Sequence, residues 1–153
     1  MRARTTTLIV ALFFGAVSVS FASPQMGTWK LNEAKSQFAP GSPKNHTVVY
    51  ELAGDMVKVT VDGTDSNGKA THNEWTGKFD GKDYPVTGDP TSDTRSYEQV
   101  DAHTLKFSVK QNGKVTTNGR VVVSADGKSR TVTVNGTDAE GKKFKSVAVY
   151  DKQ

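Results

Sequence analysis

The chain has 153 residues and a formal net charge of +4, with 35% hydrophobic residues, 24% charged residues and no cysteine. The lack of cysteine excludes disulfides, thiolate chemistry and a lipid-modified N-terminal cysteine. Basic and acidic residues are interspersed and no basic run occurs, so nucleic-acid binding is not expected.

Residues 1–22 have the pattern of a secretory signal peptide. Two arginines, at positions 2 and 4, precede an apolar run over residues 8–19 and a small-x-small cleavage pattern that ends at Ala22. The apolar run is about 12 residues long, whereas about 20 are needed to span a bilayer. We therefore expect cleavage after Ala22, a single domain over residues 23–153, and a secreted protein, periplasmic or extracellular, that is neither a lipoprotein nor inserted in a membrane.

Residues 28–150 alternate apolar and polar side chains and contain frequent glycine turns, and no stretch has a sustained helical period. This pattern predicts an all-β fold, a single up-and-down antiparallel β-barrel in which eight to ten strands form a meander. Closure is expected because the strands have one apolar face and no helix is available to cover an edge. The predicted strands are 27–32, 46–52, 56–64, 69–78, 82–86, 94–100, 104–111, 114–124, 129–137 and 143–150.

One face of these strands is predicted to point inward because its residues are apolar at alternate positions. It comprises Val57, Val59, Val61, Leu105, Phe107, Val109, Val121, Val123, Val132, Val134, Phe144 and Tyr150. Two connections are longer than the others, 33–45 and 87–93. The first is the better candidate for a lid or rim loop, because long ordered loops on a rigid scaffold tend to carry function.

An internal repeat occurs at an offset of 73 residues, since residues 59–69 recur as 132–142 with eight of eleven positions identical. It indicates either duplication of a meander or convergence on a favourable strand-turn-strand sequence. Each copy half-matches a phosphate-binding loop, and the first also half-matches a calcium loop. Strands flank both copies where helices would be needed, so we expect plain hairpin turns.

No catalytic or metal-binding constellation stands out. The three histidines, His46, His72 and His103, fall on different strands or turns and lack metal-ligand spacing. There is no Gly-x-Ser-x-Gly motif, no thiol and no arrangement that singles out a triad. Neither enzymatic activity nor a cofactor or metal is expected.

Both ends of the predicted domain resemble known barrels. Gly-Thr-Trp-Lys-Leu at 27–31 resembles the opening strand of the calycin superfamily, the lipocalins and fatty-acid-binding proteins, in which Gly-x-Trp closes one end of the barrel. Val-Tyr-Asp-Lys at 149–152 looks like the last strand of fatty-acid-binding proteins. The resemblance implies a calycin-like barrel with Trp29 at its floor.

Some residues depart from the patterns that this resemblance implies. Fatty-acid-binding proteins carry an arginine two residues before the C-terminal tyrosine, where it helps to hold a ligand carboxylate; this chain has Ala148 there, so only Tyr150 carries over. Lipocalins pair their tryptophan with an arginine on a late strand, for which the last strand here offers Lys145. The segment 33–45 is short and contains two prolines, so the two-helix lid of the fatty-acid-binding proteins is not expected.

Two functions are consistent with these observations. The first is a lipocalin-like protein that binds a small apolar or amphipathic ligand inside the barrel. The alternative is a protein-interaction or inhibitor module that uses the rim loops and has a filled interior. An eight-stranded barrel is nearly filled by its side chains, whereas ten strands leave room. The candidate ligand-binding residues, each of which could instead fill the core, are Trp29, Tyr50, Trp75, Tyr84, Tyr97, Phe107 and Tyr150.

Overall fold

The computed structural model describes residues 23–138 and 140–153, which form ten strands. The predicted signal peptide, residues 1–22, lies outside the described residues. No helix in the described part is long and apolar enough to cross a membrane. The strands are β1 (Gly27–Gln37), β2 (Lys44–Ala53), β3 (Met56–Thr64), β4 (Ala70–Gly77), β5 (Tyr84–Thr87), β6 (Thr94–Asp101), β7 (Thr104–Gln111), β8 (Lys114–Val123), β9 (Ser129–Thr137) and β10 (Lys143–Lys152).

The strands form a closed antiparallel barrel in which each pairs with its neighbours in sequence and β1 pairs with β10. Trp29 lies opposite Lys152 in the closing pair and opposite Val48 in the pair of β1 with β2. The predicted all-β meander barrel is therefore confirmed, with ten strands, the upper end of the expected range. Closure satisfies the backbone hydrogen bonds that an open sheet would leave at its two edges.

The barrel has two different ends. One end, here called the Trp29 end, carries the start of β1, the end of β10 and the short turns 54–55, 102–103 and 124–128. The other end, here called the mouth, carries the connections 38–43 and 88–93.

The predicted rim loop 33–45 is wrong in its extent, because β1 continues to Gln37 and only residues 38–43 connect β1 to β2. A bulge separates the pair Asn32–Val149 from the pair Gln37–Val147. Inside the bulge, the Ser36 hydroxyl donates to the Asn32 carbonyl (2.7 Å) and accepts from the Val149 amide (2.9 Å). The alternation of apolar and polar residues stops at the bulge, so the pattern did not predict the continuing strand.

The inward-facing residues form one core. Most of the predicted inward set is buried or packs against buried residues, and two tryptophans and three tyrosines join it. The buried hydrophobic residues are Trp29, Val48, Tyr50, Val59, Val61, Trp75, Val86, Tyr97, Leu105, Val121, Val123, Ala148 and Tyr150.

Both copies of the internal repeat end in the same turn. The carboxylate of Asp65 accepts hydrogen bonds from the Asn67 amide (2.8 Å) and the Lys69 amide (3.0 Å). Asp138 likewise accepts from the Lys142 amide at 2.8 Å. Because each carboxylate is used by the backbone of its own turn, the half-matches to phosphate and calcium loops are hairpin turns.

Candidate ligand-binding interior

The structure brings the seven predicted aromatic residues into the barrel interior. Trp29, Tyr50, Trp75, Tyr97 and Tyr150 are buried, whereas Tyr84 and Phe107 are partly exposed.

Tyr97 lies at the centre of the aromatic cluster. Its ring centroid is 4.8 Å from that of Trp75, 6.2 Å from that of Phe107 and 6.4 Å from that of Tyr50. The edge-on arrangement of Tyr97 against Trp75 and Tyr50 is favourable for aromatic quadrupoles. The cluster therefore packs as a core at this level of the barrel.

Phe79 belongs to the same cluster, although it was not among the predicted ligand-binding residues. Its ring is nearly parallel to that of Trp75, at an interplanar angle of 13°, and its centroid lies 5.9 Å from that of Tyr97. Gly77 leaves room for the Trp75 and Tyr84 rings, since a Cβ there would lie 2.6 Å from both. The sequence does contain a signal for Phe79. The period-two pattern of Trp75 and Gly77 continues to Phe79, past the end of β4.

A buried arginine occupies the Trp29 end. The Arg130 guanidinium carbon lies 5.0 Å from the ring centroids of Trp29 and Tyr50 and 4.9 Å from that of Tyr150. Arg130 is 2% exposed, and its Nε and Nη1 atoms have no hydrogen-bond partner. Each such contact with a ring is worth about 0.5–2 kcal/mol, more when desolvated.

Arg130 corrects the expectation that Lys145 would accompany the floor tryptophan. Lys145 is exposed on β10, opposite Asn135. The arginine over Trp29 comes instead from β9, where Arg130 precedes Val132 and Val134 on the inward face. The sequence signal for a buried Arg130 was its position in phase with the apolar residues Val132 and Val134. Charged side chains are rarely buried, so this position alone did not predict burial.

Burial raises the pKa of the two tyrosines beside Arg130. Burial and, to a smaller extent, the neighbouring Tyr97 raise the pKa of Tyr50 far above its usual range, against the opposing effect of Arg130. Burial raises the pKa of Tyr150 to about 12, again opposed by Arg130. Both hydroxyls therefore stay protonated at pH values where an exposed tyrosine ionises, and the Tyr150 hydroxyl donates to the Asn45 carbonyl at 2.9 Å.

A second buried arginine lies nearer the mouth. Arg95 is 8% exposed and lies on β6 in phase with the inward-facing Tyr97. Its Nη2 donates to Asn73 Oδ1 (3.2 Å), and its carbonyl accepts from Trp75 Nε1 (2.8 Å). Gln111, two residues beyond the partner of Arg95 on β7, has a buried Oε1 without a hydrogen-bond partner.

The histidines do not converge. His46 Nε2 lies 3.1 Å from the Thr64 hydroxyl, and His72 Nδ1 lies 2.6 Å from Asp62 Oδ1, which raises the pKa of His72. His103 lies in a turn at the Trp29 end. Within residues 23–138 and 140–153, no group of three or more histidine, aspartate or glutamate side chains is placed to hold a metal ion.

The outer wall carries two shallow grooves, of about 460 and 340 Å³, that share the middle of β7. Their lysines are already paired, Lys106 with Glu98 (3.4 Å) and Lys110 with Asp83 (2.6 Å). Exposed ion pairs of this kind contribute little to binding or stability. The two grooves are therefore weak candidates for a binding site.

Fold and interior together define a closed ten-strand antiparallel barrel with an aromatic core and two buried arginines. No family model matches the chain, and no curated protein matches it. Among solved structures, it is similar to a redesigned β-barrel, mFAP1, bound to DFHBI (12% identity, TM-score 0.47, covering 85% of this chain and 98% of that chain). It is also similar to EF1p2_mFAP2b bound to DFHBI (9% identity, TM-score 0.47, covering 85% and 94%). The function has therefore to be argued from the residues of this chain.

Proposed function

We propose that this protein is a calycin-like binding barrel that holds a small apolar or amphipathic molecule in the mouth half of its interior. The aromatic cluster forms the bottom of the site, and the inward-facing residues nearer the mouth form its wall. Binding would come from burial of the apolar part of the ligand, with a few polar groups fixing its orientation.

One observation carries the proposal, the gradient of exposure along the inner faces of β7, β8 and β9. At the Trp29 end the inward side chains of β1, β7 and β8 are buried, as Trp29, Leu105 and Val123 illustrate. Toward the mouth, inward-facing apolar residues such as Val109 and Val134 remain partly exposed. Apolar side chains left accessible on the inside of a barrel are positions where a ligand would remove surface from water, worth about 25 cal/mol per Å².

Two further parts of the proposal concern location and chemistry. Because residues 1–22 have the pattern of a signal peptide, we propose that the protein acts in the periplasm or outside the cell. We also propose that it binds its ligand without transforming it, since the sequence has no Gly-x-Ser-x-Gly motif, no thiol and no arrangement that singles out a triad.

Binding can be tested with N-phenyl-1-naphthylamine, a neutral apolar dye whose fluorescence rises in an apolar site. We expect the processed protein to bind the dye saturably. Val109→Trp, on the inner wall near the mouth, should abolish or strongly weaken binding. The matched control Val122→Trp places the same side chain at an exposed position (43% exposed) on neighbouring β8 and should leave binding unchanged.

Native mass spectrometry of the protein purified from its source gives an independent test. A retained small molecule would support the proposal, and a co-purifying protein would favour the rim-interaction alternative. Absence of dye binding by the folded wild type, or equal binding by the two tryptophan variants, would overturn the proposal.

A further inference from the structure

The charges of the barrel are unequally divided around its circumference. Strands β7–β10 carry eight basic residues and one acidic residue, Asp151, whereas β2–β6 carry three basic and five acidic residues. Of the eight, Arg130 is buried and Lys152 lies over the Trp29 ring at 5.2 Å, which leaves six on the outward side of β7–β10, here called the basic wall. The sequence intersperses these six, and only the consecutive pairing of the four strands brings them together.

Most of the cations on the basic wall have no counter-charge within the chain. The lysines that weaken the two grooves as sites, Lys106 and Lys110, are paired with carboxylates of the neighbouring half of the barrel. In residues 23–138 and 140–153, no ion pair within 4 Å involves the other four. These exposed residues are Lys114, Arg120, Lys143 and Lys145.

The register places like charges directly opposite each other. Arg120 on β8 is the cross-strand partner of Lys106 on β7. Opposed like charges destabilise a sheet, so both side chains would gain from an anion placed beside them. The guanidinium of Arg120, which has no carboxylate partner, can bind such an anion through two parallel hydrogen bonds.

A strip of uncharged polar side chains lies between the cations of β8 and β10. Asn118 lies opposite Asn135 on β9, and Asn135 lies opposite Lys145 on β10. Thr133 lies opposite Arg120. The first outer groove, of about 460 Å³, runs along this strip, and both asparagines line it. Exposed amides and hydroxyls of this kind both donate and accept hydrogen bonds, as sugar hydroxyls do.

The wall lacks the apolar groups that other anionic partners use. The aromatic residues of β7–β10 are Phe107, Phe144 and Tyr150, and all three lie on the inward phase. Single-stranded nucleic acids are held by stacking on exposed rings, and membrane surfaces by inserted tryptophan, phenylalanine or leucine. Charge complementarity together with a hydroxyl-binding strip favours a sugar polymer instead.

We propose that the basic wall is an interaction surface for an acidic polysaccharide, a chain of sugars that carry carboxylate or sulfate groups. Arg120 and Lys145 attract the acidic groups, and Asn118 and Asn135 bond to the hydroxyls between them. This surface is separate from the barrel interior, so the inference goes beyond the proposed function and does not depend on it.

The test uses the processed protein and polygalacturonate, in which each sugar carries one carboxylate. Its full methyl ester keeps the hydroxyls without the charge, and polyaspartate keeps the carboxylates without the hydroxyls. In calorimetric titrations at about 50 mM NaCl, we expect polygalacturonate to bind most tightly, polyaspartate more weakly and the ester not measurably. The affinity for polygalacturonate should fall at about 200 mM NaCl, because binding a polyanion releases its counterions.

Two double variants separate the basic wall from net charge. Arg120→Gln with Lys145→Gln should weaken binding of polygalacturonate about 5- to 30-fold, as expected for two exposed charge contacts. The control, Lys58→Gln with Lys69→Gln, removes the same net charge from β3 and the turn after it, across the barrel, and should change the affinity less than about 2-fold.

A third double variant, Asn118→Ala with Asn135→Ala, tests the polar strip. It should weaken polygalacturonate and leave polyaspartate unchanged, which would remove the preference for the sugar polymer. All these variants alter partly or fully exposed positions. Binding of N-phenyl-1-naphthylamine in the interior should be the same in each.

Several results would overturn the inference. Absence of polygalacturonate binding at low salt would do so, and so would equal weakening by the two charge variants, which would show an effect of net charge alone. Equal affinity of the wild type for polygalacturonate and polyaspartate, or tighter binding of duplex DNA or of phosphatidylglycerol vesicles, would show that the partner is not a polysaccharide. None of these results bears on the interior site, whose own test is dye binding.

Discussion

Truncation of Tyr97 distinguishes a packed aromatic core from a set of rings lining a solvated cavity. Tyr97 is 6% exposed and contacts Tyr50, Trp75, Phe79 and Phe107 at centroid distances of 4.8–6.4 Å. Removing a buried aromatic ring leaves a cavity and costs about 3–5 kcal/mol. We therefore expect Tyr97→Ala to lower the free energy of unfolding by about 4 kcal/mol.

Urea denaturation followed by tryptophan fluorescence measures this loss. With a slope of about 2 kcal/mol per molar urea, the midpoint should fall by about 2 M. A domain of this kind has about 5–15 kcal/mol of stability, so the variant should remain folded without urea. Tyr84→Ala, at the partly exposed edge of the cluster, should cost less, about 1–2 kcal/mol.

Glu98→Gln is the matched control, because Glu98 follows Tyr97 on β6 but is exposed. Its free energy of unfolding should change by less than about 0.5 kcal/mol. If Tyr97→Ala shifts the midpoint no more than Glu98→Gln does, the rings are not packed against one another and the description of the cluster as core is refuted.

Three further predictions concern the wall and the titrating groups. Gly119→Ala should cost about 1–3 kcal/mol in urea denaturation, because its Cβ would collide with the Thr133 carbonyl oxygen of the neighbouring strand. Burial raises the pKa of Tyr150 to about 12, from an ordinary value near 10. The stability that the buried neutral hydroxyl contributes is therefore complete below a pH of about 10 and is lost as the pH rises toward 12. Phenolate absorbance should show the late ionisation, and alkaline unfolding should show the loss of stability. The hydrogen bond to Asp62 raises the pKa of His72, so an NMR titration should give a value above about 6.5 that falls toward 6.5 in Asp62→Asn.

Each of these predictions has a contradicting outcome. The exposed neighbour Asn118→Ala is the control for Gly119→Ala, and equal midpoints would show that the wall tolerates a side chain there. Ionisation of Tyr150 at the ordinary tyrosine pH in the folded protein would contradict its burial. An unchanged pKa of His72 in Asp62→Asn would show that the 2.6 Å contact does not control this histidine.

Much of the fold could be predicted from local pattern because each strand carries its own period-two signal. Val57, Val59 and Val61 alternate with polar residues, and this alone places one face of β3 inside. The glycine turns fix antiparallel neighbours, since hairpins of this length leave no room for a crossover. Of the aromatic candidates, Phe107 and Tyr150 belong to the same alternating set, and the structure places both in or against the core.

The pattern was weaker where a feature depends on register between distant segments. The alternation of apolar residues stops at the bulge of β1, and the continuing strand is defined by pairing of Gln37 with Val147, more than a hundred residues away. Phe79 lies in the connection after β4. It continues the period-two pattern of that strand, but it falls outside the predicted strand and next to a predicted turn.

The amino-acid sequence by itself determined the strands, their order and the apolar inner face of this barrel, because these follow from alternation and turn chemistry within short stretches. The tertiary structure alone decided that ten strands close the barrel, and that Arg130 rather than Lys145 packs over Trp29. It also showed that Arg95 is buried inside the barrel, where its Nη2 is bonded to Asn73. A charged side chain on an apolar phase is ambiguous in sequence, and only the positions of its neighbours across the barrel decide whether it is buried and whether a carboxylate meets it.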